Sequence, residues 1–223
     1  MPLPVADHAD HADQPRASAS VPGADRRPSP RVVAVSRAAE HRFSKVPVDS
    51  ITLVAGIGVL GDAHAGALVQ HRSRVRRDPT QPNLRQVHLI HAELFEIAAA
   101  QGYDLGPGDL GENILTAGLD LHALPADARL RFGDAVVRVT GQRNPCAQIN
   151  DFRPGLLKLV LARSDGTPHD QPAPSTSTAE AFTTDLVRRA GIMGVVEVGG
   201  IVRPGQTVEI ELPEPPHRPL GPV

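Results

Sequence analysis

Short runs of alternating or β-branched residues, broken again and again by glycine, dominate the chain from Arg31 onward. "RVVAVSR" (31–37), "VHLI" (87–90), "ENILT" (112–116), "ARLRF" (128–132), "AVVRVTG" (135–141), "GVVEVGG" (194–200) and "QTVEIEL" (206–212) each read as a half-buried strand. Many short strands leave many sheet edges, and closing the sheet on itself removes them. The expectation is therefore a mainly β, closed barrel-like domain with a few peripheral helices. "RFGDAVVRV" and "RPGQTVEIE" share a turn-into-strand pattern. Helices are expected over 91–102, 153–163 and 178–191, with Gly102 and Gly191 as stops and Thr178 as a cap.

Residues 1–30 hold little that could build a core and are read as a disordered tail. The folded domain is expected over 31–213, followed by a Pro-rich tail at 214–223, which is expected on the surface. "SDGTPHDQPAPSTST" (164–178) reads as a polar loop. A net charge of −2 and an aromatic content of 3% argue against nucleic-acid binding. No apolar run reaches the roughly 18–20 residues of a membrane span, and no signal peptide is evident, so a cytoplasmic location is expected. A single cysteine makes no intramolecular disulfide.

Several polar stretches stand out, each with a plainer alternative. "GIGVLGDAHAG" (56–66) brings Asp62 and His64 together among glycines, but it lacks a phosphate-loop lysine and also reads as a tight turn. "QHRSRVRRD" (70–78) concentrates guanidinium groups suited to anions, or is a solvated loop. His64, His71, His88 and His91 form a conceivable zinc set without a recognisable ligand spacing. In "GDLGENILTAG" (108–118), Asp109, Glu112 and Asn113 precede a strand. Cys146 ends a strand beside Arg143, where a thiol can serve as nucleophile or metal ligand; lone cysteines are also often buried and inert.

Taken in order, "HRFSK" (41–45), "GIGVLGDAHAG", "VQHRSR" (69–74), "NLRQVHLIHAELF" (83–95), "PGDLGENILTAGLDL" (107–121), "TGQRNPCAQI" (140–149) and "AGIMGVVEVGG" (190–200) resemble the MOSC family, in particular its small stand-alone, YiiM-like members. The resemblance implies a barrel-like β fold and a molybdenum cofactor (Mo-molybdopterin), with Cys146 as metal ligand. It implies cofactor-binding roles for Ser44, Lys45, Asp62, Arg74, Arg85, Asn113, Thr140, Arg143 and Asn144, and proton-supplying roles for His64 or Glu112. The implied activity is reduction of small N-hydroxylated compounds. Electrons would come from a separate reductase, because one cysteine cannot hold an iron–sulfur cluster. The alternative is a non-redox sulfur carrier or cofactor-binding module using a Cys146 persulfide, with a cysteine desulfurase as a further expected partner. A zinc hydrolase built on the histidines ranks third.

Overall fold

The computed structural model describes residues 29–163 and 186–223. Residues 1–28 of the tail expected at 1–30, the loop at 164–178 and most of the helix expected at 178–191 lie outside the described residues. In chain order the elements are β1 (Arg31–Arg37), β2 (Val46–Val48), β3 (Ile51–Val54), β4 (Gly58–Val59), α1 (Arg72–Arg77), β5 (Val87–His91), α2 (Glu93–Ala99) and β6 (Ile114–Ala117). A 3-10 turn at Leu121–Ala123 leads into β7 (Arg129–Phe132) and β8 (Ala135–Gln142). Then come α3 (Gln148–Phe152), α4 (Leu156–Val160), β9 (Leu161–Arg163), β10 (Leu186–Arg188), β11 (Ile192–Val198), β12 (Gly200–Val202) and β13 (Glu209–Glu211).

The fold is mainly β, as expected, and every strand read from the sequence overlaps an observed one. The large sheet has the order β13-β7-β8-β11-β5-β6-β1-β2. It curls rather than closing through a continuous ladder. Its ends meet at a single bridge, Arg31 to Thr207, flanked by the Val32 N–H donating to Gln206 O (2.8 Å) and the Val208 N–H donating to Pro30 O (2.9 Å). Closure is thus local, a half-barrel stitched at one corner. A small sheet, β12-β3-β4, covers part of the curl.

Two cores flank the central strands. Val87, Leu89, Ile114, Phe132, Val137 and Ile192 fill the inside of the curl. Ile90, Leu94, Leu115, Ile149, Leu156 and Val160 pack the outer face against the helices. Alternation along β5 sends Val87 and Leu89 inward and leaves His88 and Ile90 on the other face, which is why the strand is buried on both sides.

Two expected helices differ from the structure. The run "LLKLVLAR" is helical only to Val160. Its apolar residues are nearly continuous, so they satisfy helix and strand periods alike, and pairing of β9 with β10 settles Leu161–Arg163 as strand. Leu186–Arg188, expected at the end of a helix, is the partner strand.

Pairing of β8 with β11 slips between Met193 and Gly194. Met193 lies opposite Gly141 and Gly194 opposite Val139, which leaves Thr140 as the extra residue of a bulge. The C-terminal segment runs beside the end of β8: the Gln142 N–H donates to Gly221 O (2.8 Å) and Leu220 packs on the inner core. No helix among the described residues is long and apolar enough to cross a membrane.

Candidate functional site

Connections converge on the outer face of β5. The 38–45 segment after β1 supplies Arg42, Phe43 and Lys45; the turn after β4 supplies Asp62 and His64. The 100–113 loop is drawn against 43–45 by two glycines. Gly108 (φ +86°) lets Lys45 N–H donate to its carbonyl at 2.8 Å, and a Cβ there would collide with the Lys45 carbonyl. Gly111 (φ +79°) would place a Cβ 2.5 Å from Phe43 O. Asn83 ties the next piece in place: its amide donates to His64 O (2.9 Å) and Gly66 O (3.0 Å), and its Oδ1 accepts from the Arg85 N–H (3.0 Å). At the end of β8, the Arg143 N–H donates to Gly191 O (3.0 Å) and Pro145 breaks the ladder. Cys146 follows, its carbonyl accepting from Ile149 N (3.1 Å) as α3 begins.

The result is a cavity of about 210 Å³ lined by Arg42, Phe43, Lys45, His64, His71, Arg85, His88, Gly111, Asn113, Arg143, Asn144, Cys146, Gln148 and Met193. The Cys146 thiol is exposed, 3.5 Å from Gln148 Oε1. Arg85 and Arg143 both interact electrostatically with it. Burial pulls Arg85 down to about 10, with Arg143 and Arg74 adding repulsion and Cys146 opposing it. Arg143 is lowered too, by burial against the opposing pull of Cys146 and Glu112. Arg85 Nε and Arg143 Nη1 are buried without a hydrogen-bond partner. Cations crowded together with unused donors create a place for an anion.

Beneath the cavity is an ion pair. Lys45 Nζ lies 2.8 Å from Asp62 Oδ2, and the two side chains are 4% and 1% exposed. Asp62 Oδ2 also accepts from Ala38 N–H (3.2 Å) and Asn113 Nδ2 (3.0 Å), while Oδ1 accepts from His64 N–H (3.0 Å) and contacts His64 Nδ1 (3.1 Å). Burial pushes the Asp62 carboxyl up, but the hydrogen bonds from His64 and the charge of Lys45 outweigh it and hold the group well below the usual range. Burial draws Lys45 down against the pull of Asp62. Glu112 is fully buried and raised by desolvation; its Oε1 accepts from the Gly108 N–H (2.5 Å) and its Oε2 has no partner.

Of the residues singled out in the sequence, Lys45, His64, His71, Arg85, His88, Asn113, Arg143, Asn144 and Cys146 line this cavity. Asp62 sits behind it. Lys45, expected to hold an anion, is already engaged by Asp62. Ser44 turns away and donates to Asp109 O (2.8 Å). Thr140 Oγ1 donates to Leu84 O (2.6 Å) and is not in the lining. Arg74, on α1, borders a neighbouring pocket with His71 and Arg85, and its charge reaches both. Glu112 is likewise absent from the lining. The sequence reading did not assign Arg42, Phe43, Gln148 or Met193; "HRFSK" and "PCAQI" contain the first three, but neither spacing nor residue type marks them as a wall.

Among the described residues no three His, Cys, Asp or Glu side chains are placed to hold a metal ion, which removes the support for a histidine zinc site. His88 is buried, with Nε2 2.8 Å from Ala190 O. His91 lies elsewhere, in a second cavity of about 460 Å³ with Glu93 and His122.

The MOSC domain model matches residues 76–209, more than half of the chain and including Arg85, Arg143 and Cys146. Among solved structures, the YuaD protein from Bacillus subtilis is similar with a TM-score of 0.61 at 22% identity, covering 83% of this chain and 97% of that one. YiiM from Escherichia coli is similar with a TM-score of 0.50 at 16% identity, covering 84% and 73%. These are likenesses of fold. No curated protein matches the chain.

Proposed function

The chain belongs to the MOSC domain family, a family associated with molybdenum-cofactor binding, and from that premise we propose that it is a molybdenum-dependent reductase of small N-hydroxylated compounds with Cys146 as the metal ligand. The observation that carries the reading is the meeting of an exposed thiol with the unpartnered Arg85 Nε and Arg143 Nη1 around one cavity. A soft sulfur donor among guanidinium groups fits an anionic group built around a soft-ligand metal. At about 210 Å³ the cavity is below the ~300–1,000 Å³ of ordinary small-molecule sites, so it fits the metal end of such a group rather than all of it.

Cys146 would hold the metal, Arg85 and Arg143 would neutralise anionic oxygens, and Asn144 and Gln148 would orient polar edges at the rim. Arg74 extends the positive field toward the neighbouring pocket. Asn113 and Lys45 act one step back, fixing Asp62. When bound, the cofactor supplies two-electron oxygen-atom chemistry that no side chain here can perform. The electrons require a separate reductase protein.

The test is molybdenum and pterin content per chain, measured on protein made without oxygen in a cofactor-competent host, for wild type and Cys146→Ser. Near-stoichiometric metal that disappears in the variant, with turnover of an N-hydroxylated amine under a chemical reductant, supports the reading. Equal metal in both proteins refutes the ligand assignment. Metal-free wild type carrying a persulfide on Cys146 replaces the reading with sulfur carriage.

A further inference from the structure

Loss of an N–O oxygen requires protons at a defined place. Four histidines lie at or near the cavity, and their hydrogen bonds separate them. His88 is turned to the Ala190 carbonyl at 2.8 Å and is fully enclosed. His41 is turned to the Gln70 carbonyl at 2.9 Å and is not in the lining. His71 has no carboxylate beside it and is drawn down to about 2 by burial, with Arg85 adding to the effect. His64 alone of the four meets a carboxylate, Asp62 Oδ1, at 3.1 Å.

Asp62 is held ionised, and an ionised carboxylate only accepts hydrogen bonds. The proton on the His64 ring therefore sits on Nδ1, leaving Nε2 as the free nitrogen. The Asp62 side chain cannot wander: Lys45, Asn113 and the Ala38 N–H grip its other oxygen. The His64 side chain is 18% exposed and lines the same cavity as Cys146. A carboxylate that fixes the tautomer of a site histidine is the arrangement by which catalytic triads orient an acid–base group. Glu112, the other buried carboxyl, is outside the lining and is engaged by the Gly108 N–H.

We propose that Asp62 and His64 form the proton-transfer pair of this site: Asp62 is a positioning residue, and Nε2 of His64 gives the proton that departs with the substrate oxygen. The proposal rests on the reductase reading above. In the balance, R–NH–OH takes two electrons from the partner reductase and two protons, the N–O bond breaks, and R–NH₂ and water form. His64 supplies one proton and is recharged from solvent at its exposed edge; the second proton comes from water.

The groups facing the ring set its charge. They are Asp62 on its own turn, Lys45 and His41 from the segment before β2, and His71 before α1, with Arg85 and Arg143 across the cavity. Burial, with the charge of Lys45 adding to it, lowers the proton affinity of the ring against the hydrogen bond to Asp62. An anionic ligand works the other way and favours the proton on Nε2.

The experiment joins nitrogen NMR of ¹⁵N-histidine-labelled, cofactor-free protein with kinetics of loaded protein. In wild type the His64 signals, identified by their loss in His64→Gln, should report the Nδ1–H tautomer, and Asp62→Asn should shift them toward Nε2–H. In loaded protein His64→Gln should lower kcat by about 100-fold or more with KM little changed, and added imidazole should restore part of the rate. Asp62→Asn should move the alkaline limb of the kcat profile to lower pH, because the carboxylate holds the proton on the ring. An Nε2–H tautomer in wild type overturns the pair whether or not the protein turns over. Normal turnover in His64→Gln overturns it while leaving the reductase reading intact. No turnover in loaded wild type defeats the reductase reading, and with it the proton-donor role.

Discussion

Replacing Asp62 by Asn removes one charge from a pair that is almost wholly shielded from water. Lys45 and Asp62 are 2.8 Å apart and 4% and 1% exposed, so their attraction is about 6 kcal/mol at an effective dielectric constant of ~20. Desolvating both groups offsets most of that gain. The loss on mutation comes instead from the partner left behind. In Asp62→Asn, Lys45 stays buried without its anion, and the expected destabilisation is about 3–5 kcal/mol. For a folded unit of this size that lowers Tm by about 6–20 °C. Lys45→Met should cost less, because Asp62 keeps donors from Ala38, His64 and Asn113. The double variant retains an acceptor for His64 N–H and strands no charge, so it should be more stable than the sum of the single losses by about 2 kcal/mol. Equilibrium urea unfolding of the four proteins measures this cycle. Losses that add within about 0.5 kcal/mol would refute the claim that the two charges answer each other. Asp62 titrates well below its ordinary 3.8, so its contribution is complete above about pH 3.8 and is lost only in stronger acid. Added salt should leave the cycle unchanged, since the pair is out of reach of screening ions.

Two further outcomes concern the frame of the fold, one beside the site and one at the second cavity. Gly108→Ala forces a side chain onto φ +86° and into the Lys45 carbonyl, and should lose more than the ~1–3 kcal/mol of backbone strain alone, read as a fall in urea midpoint; a change below ~0.5 kcal/mol would contradict the close approach. His122 is drawn down to about 4 by burial and by His91, so below about pH 6.5 the unfolded chain takes up its proton first and stability falls down to about pH 4. His122→Gln should flatten that acid slope in melts at graded pH, and an unaltered slope would show that the imidazole is not buried neutral.

The strands were legible because alternation and glycine punctuation carry their own period, as "AVVRVTG" does for β8. β9 and β10 were not, since three residues hold too little pattern and their pairing depends on a partner more than twenty residues away. Full barrel closure was inferred from the need to protect edges; Arg31 and Thr207 meet that need with one bridge. At the site, Cys146 and Arg143 were visible from each other's proximity in sequence, and His64 from Asp62 two residues before it. Arg42, Phe43 and Met193 reach the cavity from segments remote in the chain. Neighbouring residues gave no sign that Lys45 and Asp62 would neutralise each other, because seventeen positions separate them and only the fold makes them touch.

The bulge at Thr140 lets β8 carry one residue more than the stretch of β11 that it faces. Paired residues share a face of the sheet and Met193 and Gly194 alternate, so Val139 and Gly141, two apart in the chain, lie on opposite faces, and the extra residue absorbs the difference. Substituting Thr140 forfeits one hydrogen bond to Leu84. Deleting it makes Val139 and Gly141 neighbours with their partners unchanged, so Gln142 and Arg143 keep their faces and only the local bend is lost. Position 140 is therefore slack in the ladder, a joint that bends β8 without re-aiming the residues beyond it.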